Sequence, residues 1–220
     1  MRSIFPRAAV AAALLGVAPA AQAQDACAEN FKWPKVGAWA EYQGIYNKGT
    51  PVTTRYAVVG TERRNGADYK WVEFTMHDAK KNTDMIYQML VPGGGPLQMD
   101  GIEEVVMKMG ERPAMKMTGM MLGMMRTQLG KNMAFKDACT EVTMVGVEKV
   151  TVPAGSFTAK HFRSAKYESD MWVDKQVPFS MLKSVGKSHE LVLAATGDGA
   201  KSGIDETPQE MPGMEPPKAK

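Results

Sequence analysis

Cysteine and histidine, the side chains behind most metal and nucleophilic sites, are nearly missing. The 220 residues contain two cysteines and three histidines. His77, His161 and His189 stand far apart with no H-x-H or H-E-x-x-H spacing, which excludes a zinc site of the metalloprotease type. The segment "GDGAKSG" (Gly197 to Gly203) does not meet the G-x-x-x-x-G-K-[ST] pattern and no helical pattern follows it, so it reads as a loop leaving a strand. "AGSF" lacks the second glycine of a nucleophile elbow. Glu103 and Glu104 are adjacent, so on a strand they point to opposite faces and cannot act as an acid/base pair. The expectation is therefore no catalytic residues, no enzyme and no cofactor.

A surplus of one charge is also lacking. Two of the 27 basic residues, Arg2 and Arg7, lie in the first 23 residues, which hold no acid. The remainder carries 25 basic against 24 acidic residues, which argues against a nucleic-acid partner. No run of eighteen apolar residues occurs, so no segment is expected to span a membrane.

What is present begins with an export signal. Arg2 and Arg7 supply a basic n-region, Ala8 to Val17 an apolar core, and Ala21-Gln22-Ala23 an A-x-A cleavage site. Residues 1–23 are expected to be removed, leaving a single periplasmic domain from 24 to 203. Gln24-Asp25-Ala26 ahead of Cys27 is a poor lipobox, so lipidation is not expected. Export favours a Cys27–Cys139 disulfide; the alternative is two free thiols. Beyond Gly203, "IDETPQEMPGMEPPKAK" has four prolines and one aliphatic residue, the composition of a disordered tail over 204–220.

Between these ends the period is two. "DYKWVEFTM" sets Tyr69, Trp71, Glu73 and Thr75 against Lys70, Val72, Phe74 and Met76. "MIYQMLV" sets Met85, Tyr87, Met89 and Val91 against Ile86, Gln88 and Leu90. Asn65-Gly66 between two such runs marks a tight hairpin. About ten strands and one helical segment predict a mainly β fold, a curved antiparallel sheet or half-barrel with the helix across its concave face.

That helix is expected at about 113–130, with Pro113 in its first turn and Gly130 at its end. It contains "MKMTGMMLGMMRTQ", six methionines in fourteen residues. Met117, Met120, Met121, Met124 and Met125 follow helical stripe spacing. Three readings stay open. The stripe is core; or it is an adaptable cover over a pocket for a lipid or acyl chain; or Met115, Met117, Met120 and Met121 hold copper(I) through thioethers. For the pocket, the candidate lining is Trp71, Met117, Met120, Met121, Met124 and Trp172.

The phrases "VEKVTVPAGSFTAKHFRS", "DMWVDKQVPFSMLKS" and "HELVLAATGDGAKSGI", with "VGAWAEYQ" and "YKWVEFTM", resemble exported bacterial proteins of mostly unknown function. That group is similar to the lipoprotein-carrier (LolA/LolB-like) half-barrel. The resemblance implies an antiparallel sheet wrapped around helices with an apolar cavity, and a hydrophobic small molecule, lipid or lipidated segment as ligand. A scaffold without a ligand is the alternative. The quoted motifs mark turns and strands, and they name no oligomeric state.

Overall fold

The computed structural model describes residues 23, 26–46, 49–78, 82–94, 101–117, 119–132, 139 and 141–210. The expected signal peptide, apart from Ala23, lies outside the described residues, as do residues 211–220 of the expected tail. The fold is mainly β, built as one open, curved sheet of twelve strands. In chain order these are β1 (Trp39–Tyr46), β2 (Thr50–Arg64), β3 (Ala67–Asp78), β4 (Thr83–Pro92), β5 (Glu104–Met109) and β6 (Met115–Met117). Helix α1 (Gly119–Asn132) follows. The second half comprises β7 (Val142–Val152), β8 (Gly155–Ser164), β9 (Ser169–Val173), β10 (Met181–Val185), β11 (His189–Gly197) and β12 (Gln209–Glu210). The spatial order is β12-β6-β5-β4-β3-β2-β1-β11-β10-β9-β8-β7. Neighbours are antiparallel except β12, which runs parallel to β6. Two meanders thus meet where β1 pairs with β11.

Local chemistry explains the joints. Asn65 and Gly66 both take positive φ, 49° and 80°, the conformation of a two-residue hairpin turn whose twist matches its strands. Pro153 and Ala154 form the β7–β8 turn, closed by Val152 opposite Gly155. At the β1–β11 seam, a Cβ on Gly44 would sit 1.8 Å from the Glu190 carbonyl oxygen. Only glycine lets these two backbones meet so closely. Beyond the seam the sheet curls, and the Ala154 amide donates to the Leu193 carbonyl at 3.2 Å.

Residues opposite one another across strands share a face, so the register defines an inner and an outer side. The inner side carries the main core, including Tyr42, Val58, Val72, Met89, Val105, Phe162, Met171, Leu191 and Leu193. The Cys27–Cys139 disulfide is formed, with Cα atoms 5.4 Å apart, and Cys27 is fully buried in this core. Tyr42, also fully buried, donates its hydroxyl to the Met181 carbonyl at 3.0 Å.

A second, smaller apolar cluster lies on the outer side. Val106, Ala114 and Ile204 are its centre, with Trp71 and Ile86 beside them. Residues 202–210 cover it as a strap. Gly203 N–H donates to Glu73 Oε2 at 2.8 Å, and Gln88 Nε2 donates to the same oxygen at 2.8 Å and to Ser202 Oγ. Glu206 pairs with Lys108 at 3.0 Å and accepts from Ala114 N–H at 3.1 Å. Residues 204–210, expected in the tail, therefore hold named contacts on the sheet.

One expectation about the methionine segment changes. The helix runs over Gly119–Asn132, not from 113, because Met115–Met117 pairs with β5 as a strand. The sheet has twelve strands where about ten were expected, the additions including the short β6 and β12. Among the described residues, no helix is long and apolar enough to cross a membrane.

Candidate functional site

The inner face of β2 to β6 is built in cross-strand rows. The deepest row runs Val58, Val72, Met89, Val105 and Met117, each opposite the next, and none exceeds 3% exposure. The next row is Tyr56, Phe74, Tyr87, Met107 and Met115. Tyr56 is buried, and the other four are only half-buried. The third row is Met76, Met85 and Met109, all half-buried. Across β3 to β5 burial therefore fades along the strands on an apolar surface, bordered on β2 by the buried Thr54 opposite Met76. Among the described residues these two rows, Tyr56 apart, stay half-buried, and an apolar face of this kind is a candidate for binding.

Aromatic contacts stiffen one side of it. Tyr56 meets Tyr42 edge-on at 5.6 Å and Phe74 at 4.9 Å, and Phe74 lies 6.3 Å from Tyr87. The methionine side is softer, since an unbranched thioether chain adapts its shape. Tyr87 donates its hydroxyl to Met85 Sδ at 2.9 Å, and burial raises its pKa above the ordinary phenol value. Tyr87 is therefore neutral at physiological pH, and the surface carries no charge there.

Helix α1 borders this core through Met121, Leu122 and Met125, which pack against it. Arg126 anchors the helix by donating to the Ile102 carbonyl, 2.8 Å from Nε. Met120 and Met124 face solvent at 58% and 56% exposure.

The sequence-predicted lining divides accordingly. Met117 and Met121 belong to the inner side. Met120 and Met124 do not, because the helix presents the 121/122/125 edge instead. Trp71 also does not: it lies on the outer face beneath the strap, its indole donating to Glu62 Oε2 at 3.0 Å. Trp172 shares a face with Lys183, Val192 and Gln43, opposite to that of Tyr42. There it stacks on His161 at 4.3 Å and donates to Glu148. His161 Nε2 lies 2.6 Å from Asp170 Oδ1, and Arg163 donates to the same oxygen at 2.8 Å. Burial pushes the Asp170 carboxyl up, but the hydrogen bonds from His161 and Arg163 outweigh it and hold the group below its usual value.

Of the proposed copper set, Met115 and Met117 lie on a strand, Met121 packs inward and Met120 points to solvent. They do not gather around one helical turn. Sequence reasoning missed Met76, Met85, Met107 and Met109 as site residues. The signal is in the alternation, which sets Phe74 with Met76 and Met85 with Tyr87 on common faces.

A separate cleft of about 480 Å³ opens near the start of the fold, with Trp33 and Phe179 among Lys32, Lys35, Lys175 and Asp198. Its charged walls suit an apolar chain poorly. Among the described residues, no three His, Cys, Asp or Glu side chains gather as a metal site.

No protein-family model and no curated protein matches the chain. Solved structures do match at a distance. One from Bacteroides fragilis, described as an exported protein with a YmcC-like fold, has a TM-score of 0.37 and 12% identity, covering 76% of this chain and 99% of its own. A protein from Parabacteroides distasonis, described as a lipoprotein, has a TM-score of 0.35 and 11% identity over 76% of this chain and 98% of its own. MucB has a TM-score of 0.42 and 13% identity, covering 86% of this chain and 62% of MucB. Similarities this distant carry no role onto any residue of the chain.

Proposed function

We propose that this chain is an exported, non-enzymatic carrier or binding protein that holds a hydrophobic ligand, an acyl chain or lipid, on its inner face. The observation that carries the reading is the pair of half-buried rows, Phe74–Tyr87–Met107–Met115 and Met76–Met85–Met109, beside helix α1. A scaffold would be expected to close such a surface with its own side chains, as the strap does on the outer face.

The magnitudes fit reversible carriage. Burying about twelve methylenes contributes roughly 10 kcal/mol. Lost freedom on association offsets about 4 kcal/mol or more. The remainder, about 6 kcal/mol, corresponds to a Kd of tens of micromolar. That is tight enough to load and weak enough to release.

The test is titration with a fluorescent long-chain fatty acid, comparing the native chain with Met107→Lys and Met120→Lys variants. A charge at Met107 should cost at least tenfold in affinity, while one at solvent-facing Met120 should change little. Equal binding by all three proteins would refute the site. No binding by the native chain would favour a scaffold.

A further inference from the structure

We propose that the rim of the inner face also forms a soft-metal site, in which Met76, Met85 and Met109 bind a copper(I) ion through their thioether sulfurs. The register places Met76 directly opposite Met85, and Met85 directly opposite Met109. Opposed residues on one face have Cβ atoms about 4.5–5.5 Å apart. Methionine's flexible stem lets its sulfur travel to a common point.

Three further observations support convergence on an ion. All three side chains are half-buried, which leaves a path from solvent. The Tyr87 hydroxyl lies 2.9 Å from Met85 Sδ and orients the central sulfur, leaving it a second lone pair. Met107 and Met115 stand opposite each other one row deeper, a reserve of two more thioethers. His77 and Asp84, the chain neighbours of Met76 and Met85, pair with each other at 2.8 Å on the opposite face.

The donor chemistry selects the ion. Thioethers are neutral, soft ligands that suit copper(I) and its inert analogue silver(I), whereas calcium, magnesium and manganese need oxygen ligands. Among the described residues no cluster of His, Cys, Asp or Glu competes for harder ions. Both cysteines are held in the disulfide, so thiolate does not contribute. This inference stands apart from the hydrophobic-ligand reading, although the two share a face.

The test uses the mature, disulfide-intact protein. Copper(I) is titrated anaerobically against a chromogenic chelator of known affinity. One equivalent should bind with submicromolar affinity. Met76→Leu, Met85→Leu and Met109→Leu should each weaken binding at least tenfold, and the triple variant should no longer compete. Met120→Leu/Met124→Leu should bind as the native chain does. Leucine keeps the volume and removes the donor atom, and circular dichroism checks that each variant folds. Should the triple variant not fold, silver(I) added to native protein with 13C-labelled methionine methyl groups decides the matter. Shifts at Met76, Met85 and Met109 support the site. Absence of competition by the native chain, an equal loss in the helix variant, or silver shifts confined to Met120 and Met124 would overturn it. Fatty-acid binding retained by the triple variant would show that the two readings fail or stand separately.

Discussion

Replacing both cysteines, Cys27→Ala/Cys139→Ala, removes a crosslink between residues 112 apart in sequence. By loop-closure entropy, freeing a loop of that length lowers stability by about 4.8 kcal/mol at 25 °C. Cys27 is fully buried, and losing its sulfur from the core adds about 1 kcal/mol. The segment around Asn30 and Trp33 is tied down independently of the bridge. Ser180 donates its hydroxyl to the Asn30 carbonyl, and the Trp33 ring meets Phe179 edge-on at 6.4 Å. The native fold should therefore persist in the variant, with the effect residing mainly in the unfolded chain. A total of about 5–6 kcal/mol corresponds to a fall in Tm of roughly 10–20 °C for a domain of this size. Urea unfolding should show a lower midpoint and a larger m-value, because an unlinked denatured chain exposes more surface. Loss of less than about 1 kcal/mol, with an unchanged m-value, would refute the argument.

The outer strap gives two stability tests by urea unfolding. Ile204→Ala should cost about 2–3 kcal/mol, since a buried isoleucine leaves a cavity against Trp71, Ile86 and Val106. Glu73→Ala should cost about 1–3 kcal/mol by stranding the Gly203 amide and the Gln88 side chain. The pH dependence follows from Asp170, whose carboxyl lies below its usual range. A depressed carboxylate stabilises the fold above the ordinary carboxyl pKa of about 3.9, and that contribution disappears as pH falls through the native value. Between about pH 5 and about pH 2 the native chain should therefore lose more stability than Asp170→Asn. Parallel acid profiles would contradict the assignment.

Much of the architecture is legible in the chain because strand periodicity is strict and local. The faces of β3 and β4, the Asn65-Gly66 turn and the cysteine pair all follow from short-range chemistry or from export. Which face is inner does not. Both sides of β3 carry large apolar residues, Phe74 on one and Trp71 on the other, and each packs against an apolar cluster. The cover over Trp71 comes from Ile204, more than a hundred residues away, in a segment whose prolines read as a tail. The helix boundary failed for a related reason. Met115-Lys116-Met117 alternates apolar and polar side chains, which fits a strand or a helix start equally, and only pairing with Val105 and Met107 decides it. The stripe spacing of the methionines was real, yet burial of the Met121, Leu122 and Met125 edge turned Met120 and Met124 outward.

The central claim, that the half-open inner face takes a hydrophobic ligand, is tested most directly by methionine-methyl NMR of the mature protein during titration with a long-chain fatty acid. The account predicts saturable shifts at Met76, Met85, Met107, Met109 and Met115, with Met144, Met171 and Met181 of the other half of the core unmoved. Shifts confined to the solvent-facing Met120 and Met124, or no shifts at all up to millimolar ligand, would contradict it.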